Sequence, residues 1–185
     1  MDMKHFRYNI FIIFILTGVF TACRSHKDLS TQPKPTTENN TSTKSAQQIK
    51  KTYASILGVD ENKIENVALY SLIDSWYGTS YKYGGSSKNG IDCSNFANII
   101  YQEIYKKSLT GSSASIYNLC KPLSTNDLQE GDLLFFKIEK NTISHIGVYL
   151  QNNKFVHATT KAGVRIDDLD QAYYKKYFFK AGRLK

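Results

Sequence analysis

The chain has 185 residues, 24 Lys+Arg against 16 Asp+Glu for a net charge of +8, with 41% apolar and 13% aromatic residues. Thirteen tyrosines and ten phenylalanines exclude a wholly disordered chain, because disorder goes with few aromatics and low hydrophobicity, and the length admits one domain of roughly 100 to 150 residues but not two. The basic balance suits an anionic setting such as lipid headgroups or cell-wall polymer; its lysines are scattered rather than striped, which argues against a nucleic-acid partner.

The first element in chain order is a targeting segment. Lys4 and Arg7 precede an uncharged, mostly apolar run from Tyr8 to Phe20, too short for a permanent membrane span and closed by the small pair Thr21-Ala22. Residues 1–22 are therefore expected to be a signal peptide. Phe20-Thr21-Ala22-Cys23 resembles a bacterial lipobox, although leucine is the usual occupant at Phe20, and makes Cys23 the expected lipidation site of an anchored rather than membrane-spanning protein. Arg24, where some bacteria use Asp as an inner-membrane signal, leans by resemblance toward the outer membrane, facing the periplasm. Residues 23–52 read as a flexible tether: Ser, Thr, Asn, Gln and Lys crowd Arg24 to Lys51 with Pro33 and Pro35, and Leu29, Ala46 and Ile49 are its only sizeable apolar side chains.

The folded domain is expected over residues 53–185. Val67, Tyr70, Ile73 and Tyr77, flanked by Leu69, Leu72 and Trp76, predict an amphipathic helix ending near Gly78. Gly78 to Gly90 is rich in glycine and serine and predicts a loop that delivers the chain to Asp92-Cys93-Ser94. A second helix starts there, with Phe96, Ala97, Ile100, Tyr101 and Ile104 on one face. The period then changes. Leu133–Phe136, His145–Leu150, Lys154–Thr159, Val164–Ile166 and Tyr177–Leu184 are short β-type runs bounded by Gly, Asn and Asp. Helices first and strands later predict an α+β domain, the helices packed on one side of an antiparallel sheet.

Position removes most candidates for chemistry. His5, Cys23 and His26 fall outside the domain, leaving Cys93, Cys120, His145 and His157. A thiol is a nucleophile as thiolate, and the positive end of a helix favours that form, so Cys93 is better placed than Cys120, which lies in an irregular segment. If Gln151-Asn152-Asn153 is a three-residue hairpin loop, paired residue numbers sum to 304, Gly147 faces His157, and His145 lies on the same face at a diagonal distance of about 7 to 8 Å. A two-residue loop would put the histidines on opposite faces. Asn152 and Asn153 suit the left-handed backbone that the longer loop needs. Cys93 would then attack a carbonyl carbon, His145 would accept and later return a proton, and His157 would orient His145. Backbone N–H groups at the start of the second helix, that of Cys93 included, would meet the developing oxyanion.

Tyr81-Lys82-Tyr83-Gly84-Gly85, Gly90-Ile91-Asp92-Cys93-Ser94-Asn95-Phe96, Gly131-Asp132-Leu133, Ser144-His145-Ile146-Gly147-Val148-Tyr149 and Phe155-Val156-His157-Ala158 together resemble the NlpC/P60 cell-wall cysteine peptidases, over roughly residues 60 to 185. The resemblance implies a papain-like α+β fold and places Cys93, His145 and His157 on the family's catalytic positions. It also puts Tyr81 at the oxyanion site and Asp92 and Ser94 beside the substrate's polar end; Asn95 stands where many members have glycine. Implied too is hydrolysis of peptidoglycan stem peptides, commonly between D-γ-glutamyl and the following diamino acid. In layout, with signal, short tether and lone domain, the chain is similar to the Spr-type murein endopeptidase lipoproteins, which cut D-amino-acid crosslinks instead.

Other readings compete. In an exported protein a Cys93–Cys120 disulfide is the default pairing, and the flanking motif favours a free Cys93. Cys plus two His is also a catalytic zinc set, but no fourth ligand is evident, so no metal or other cofactor is expected. A non-catalytic wall-binding module would use Tyr77, Tyr81 and Tyr83 to grip sugar or peptide. A monomer is expected.

Overall fold

The computed structural model describes residues 44–139 and 141–185; the expected signal peptide, Cys23 and the tether up to residue 43 lie outside them. The chain enters as a helix where the tether was expected to continue. Helix α1 (Ala46–Leu57) is started by a capping box: the Ser45 hydroxyl accepts from the Gln48 backbone N–H, and the Gln48 side chain accepts from the Ser45 N–H at 2.8 Å. It buries Ile49, Tyr53, Ala54 and Leu57, so residues 46–52, read as part of the tether, are packed with the rest of the described chain. Helix α2 (Val67–Trp76) buries Leu69, Tyr70, Ile73 and Trp76, whereas Tyr77, placed on its apolar face by spacing, caps the end and is exposed.

The glycine-rich loop holds a small ribbon, β1 (Ser86–Ser87) with β2 (Gly90–Ile91), and leads into α3 (Cys93–Tyr105). A short helix α4 (Ser113–Asn118) and strand β3 (Cys120–Leu123) follow in the stretch read as irregular. Then come β4 (Leu133–Phe136), β5 (His145–Tyr149), β6 (Lys154–Thr159), β7 (Gly163–Asp168), a short helix α5 (Ala172–Tyr177) and β8 (Phe178–Leu184). The sheet runs β3-β8-β4-β5-β6-β7, and every neighbouring pair is antiparallel.

Both faces of this sheet are covered. Leu133, Phe135, Ile146, Val148 and Val156 join the helical residues in the main core, while Leu134, Phe136, Tyr149 and Phe155 form a second cluster with Leu169 and Tyr174. That double burial makes β4 a continuous apolar run rather than an alternating one. The second cluster lies on the face away from the N-terminal helices and is closed by residues of the sheet itself and of α5. Histidines 145 and 157 belong to its face: the His145 ring packs on Phe136, and His157 on Phe155 and Tyr174.

The β5–β6 hairpin has the expected register, Val148 opposite Val156 and Tyr149 opposite Phe155. Its loop is Gln151–Asn153, closed by Leu150 N–H to Lys154 O and Lys154 N–H to Gln151 O, both 2.9 Å, with Asn152 and Asn153 at φ of 50° and 57°. Asn152 also donates to Leu57 O at 2.7 Å, and Gln151 to Lys63 O at 2.9 Å, so the hairpin tip is fastened to the helical layer.

Candidate active site

The site begins with the helix cap ahead of Cys93. Asp92 sits at the N-cap of α3: one carboxylate oxygen accepts from the Asn95 backbone N–H at 2.7 Å, and the other accepts from Gly84 N–H at 2.9 Å. The Asn95 amide donates to Gly85 O at 3.0 Å. Together these bonds lace the Tyr81–Gly85 loop to the first turn of α3. Gly85 is needed there because a Cβ would run into the Gly90 carbonyl. Tyr81 is held by a bridge to Ile91 and is half-buried; burial and the nearby Cys93 and Asp92 push its phenol up to about 12, so it stays a proton donor. Asp92 thus has a structural duty besides any contact with substrate.

Cys93 follows the cap at 7% exposure and is a free thiol, as is Cys120. Burial pushes its thiol up and the Asp92 charge adds to that, while the neighbouring donors, the Ile146 backbone N–H one residue after His145 and the Ser94 N–H and hydroxyl, pull the other way, with a net rise. The expected lowering at the helix start is therefore not the balance in the resting molecule, and Cys93 rests as a protonated thiol. Cys120 is on the edge strand β3, where its S–H donates to Ile116 O at 3.3 Å and burial raises it to about 11.

His145 and His157 meet as the hairpin register requires, with His145 Nε2 and His157 Nδ1 at 2.7 Å. Burial, and then the neighbouring His157, lowers the His145 imidazole well below its ordinary value, and burial lowers that of His157 as well. Both are neutral near pH 7. Gly147, between His145 and Tyr149, cannot carry a side chain: a Cβ would come within 2.6 Å of the Phe155 ring.

A third partner lies one strand further on. In β7, Asp167 is two residues along the same face from Arg165, which pairs with His157. Its carboxylate accepts from His157 Nε2 at 2.9 Å. The sequence reading passed over it, yet the parity argument that joined the two histidines reaches it once β6 and β7 are paired through Thr159 and Gly163. Since His145 and Asp167 occupy both ring nitrogens of His157, no lone pair there is free for a metal, and among the described residues no three His, Cys, Asp or Glu side chains converge as a metal site.

A cavity of about 370 Å3 opens beside this chain of contacts, lined by Tyr81, Ser144, His145 and His157 and continued by Arg165 and Tyr173. A buried cysteine at a helix start, a buried histidine pair in contact and an adjoining cavity are the parts of an α+β hydrolase of the thiol type. The NlpC/P60 family matches residues 78–183, and the chain belongs to that family. It is similar to a protein of Haemophilus influenzae named probable endopeptidase NlpC homolog, with 39% identity over 63% of this chain and 62% of that protein. It is also similar to the Escherichia coli protein named murein DD-endopeptidase MepS/murein LD-carboxypeptidase, with 38% identity over 67% of this chain and 68% of that one. Among solved structures, an NlpC/P60 family protein from Bacillus cereus superposes with a TM-score of 0.58 at 25% identity, covering 63% of this chain and 39% of that one. An NLP/P60 family protein from Staphylococcus aureus, titled similar to lipoprotein, has a TM-score of 0.58 at 26% identity over 68% and 42% of the two chains.

Proposed function

We propose that this chain is a peptidoglycan hydrolase, a cysteine endopeptidase that cuts stem peptides with Cys93 as nucleophile, His145 as base and His157 as the residue that orients it. The observation that carries this reading is the 2.7 Å His145–His157 contact at the start of β5, the strand against which α3, the helix that begins at Cys93, packs. Because thiol and imidazole are both neutral at rest, the proton leaves Cys93 for His145 as the sulfur attacks the peptide carbonyl, and His145 returns it to the leaving amine. The Cys93 backbone N–H and the Tyr81 hydroxyl are the donors for the oxyanion. Water then attacks the thioester, passing a proton to His145, and frees Cys93. Asp92 and Ser94 contact the polar end of the substrate.

The expected bond joins D-γ-glutamyl to the diamino acid. One observation favours a second reading, cleavage of D,D crosslinks: the Escherichia coli relative is named a murein DD-endopeptidase. Digestion of purified muropeptide dimers, read by product mass, separates the two. Crosslink cleavage yields intact monomers, stem cleavage yields disaccharide dipeptides, and intact dimers with wild-type protein would sink both.

The reading extends to the cell. Residues 1–22 serve as a signal peptide, Cys23 carries lipid, and a tether that gives way to α1 at Ala46 holds a monomeric domain at the envelope, at the outer membrane facing the periplasm. The apolar run Tyr8–Phe20 and the Thr21-Ala22-Cys23 ending support this. Metabolic labelling with a tagged fatty acid, lost in Cys23→Ala, is the corresponding test.

A further inference from the structure

Behind His157 lies a buried carboxylate that this mechanism does not use. The Asp167 side chain is 3% exposed, and both of its oxygens are engaged. Oδ2 accepts from His157 Nε2 at 2.9 Å and from the Tyr174 hydroxyl at 2.6 Å; Oδ1 is ion-paired with Arg165 Nη2 at 2.6 Å. Burial alone would push this carboxyl up, but the hydrogen bonds from His157 and Tyr174, with the charges of His157 and Arg165, hold it below the ordinary carboxylate value. It is an anion, and an anion only accepts.

The placement of protons follows from that. The His157 proton must be on Nε2, facing Asp167. A neutral imidazole has one N–H, so His157 Nδ1 is a bare acceptor, and the 2.7 Å contact is donated by His145 Nε2–H. His145, also neutral, then has its lone pair on Nδ1. We propose that Asp167 is a positioning residue which fixes the tautomer of both histidines, leaving Nδ1 of His145 as the base for Cys93, with Arg165 and Tyr174 holding the carboxylate in place. The inference rests on the catalytic assignment proposed above. It makes the working unit a relay of four residues on α3, β5, β6 and β7.

During attack the S–H bond breaks and an N–H bond forms on His145 Nδ1, while sulfur bonds to the carbonyl carbon; no proton moves to Asp167. The positive charge on His145 is stabilised through His157 by a fixed negative charge two hydrogen bonds away. Asp167 acts on both imidazoles against burial, raising their proton affinity. The other charged or titratable groups around the pair are Arg165 beside Asp167, Tyr174 from α5, Lys161 from the β6–β7 loop, Glu139 and Tyr81 across the cavity, and Cys93 with Asp92 from α3.

Two measurements test this. Nitrogen NMR of wild-type protein labelled at histidine, at neutral pH, is expected to show Nε2 protonated and Nδ1 bare on both His145 and His157; a proton on His145 Nδ1 overturns the proposal without any variant being made. Asp167→Asn cannot satisfy His157, Tyr174 and Arg165 at once, because in either amide orientation its NH2 faces a donor. It is expected to lower kcat about tenfold or more with little change in KM, and to move the acid limb of kcat/KM to lower pH. An acid limb left in its wild-type place overturns the proposal even if the melting temperature falls. Full activity in Cys93→Ala would instead overturn the catalytic reading, so the two failures are distinct.

Discussion

The molecule has two buried thiols in one core, one at a helix start and one on an edge strand, and the comparison shows what burial alone does not decide. Cys93 and Cys120 are 7% and 5% exposed, neither is oxidised, and burial raises both. Cys93 has donors beside it, at Ile146 and Ser94, that pull its titration back down; Cys120 gives a hydrogen bond to the Ile116 carbonyl. Neighbouring donors favour a negative sulfur, whereas a carbonyl holds the proton on. What separates the two thiols is the polarity of their neighbours rather than the depth of the atom.

The strongest way to break this contrast is substitution. Cys93→Ala is expected to lower turnover of muropeptides by about four orders of magnitude at unchanged melting temperature, and retained turnover would remove Cys93 from the chemistry. His145→Ala should cost about a thousandfold and His157→Ala about tenfold to a hundredfold, since the second acts through the first; steady-state kinetics showing the reverse order would exchange their roles. Next is the thiol itself. With Cys93 raised above 9.0 in the free enzyme, iodoacetamide alkylation should quicken about tenfold per pH unit between pH 7 and 9, and a plateau at neutral pH would mean a thiolate already formed. Ile49→Ala, in the helix that extends the domain, should destabilise by about 3 kcal/mol in urea unfolding, while a cost near zero would return that segment to the tether. The smallest effect belongs to Cys120→Ala, about 1 kcal/mol of stability with kinetics unchanged; a loss of activity there would erase the distinction between the sulfurs.

What could be read from residues alone was whatever local periodicity determines. The α3 face, the β5–β6 register and the shared face of His145 and His157 all follow from spacing and from two asparagines able to adopt positive φ. The start of α1 was hidden by composition: Ser45 and Gln48 spell a capping box, but the polar residues around them read as tether. Strand β3 was hidden by its place at the sheet edge, where Pro122 is tolerated because no ladder bond is needed on its outer side, and by exposed Lys121. Asp167 was hidden because its role exists only after three strands are aligned. One strand pair can be deduced from a loop length; the second required knowing that β7 begins at Gly163.

The bonds from Asn152 to Leu57 and from Gln151 to Lys63 join the tip of the histidine hairpin to the end of α1 and the turn beyond it. Helix α1 is the first helix of the described residues. Loosening that helix would therefore be felt at the far end of the hairpin, in the spacing of the two imidazoles, so a change remote from the cavity can reach it without touching any residue that lines it.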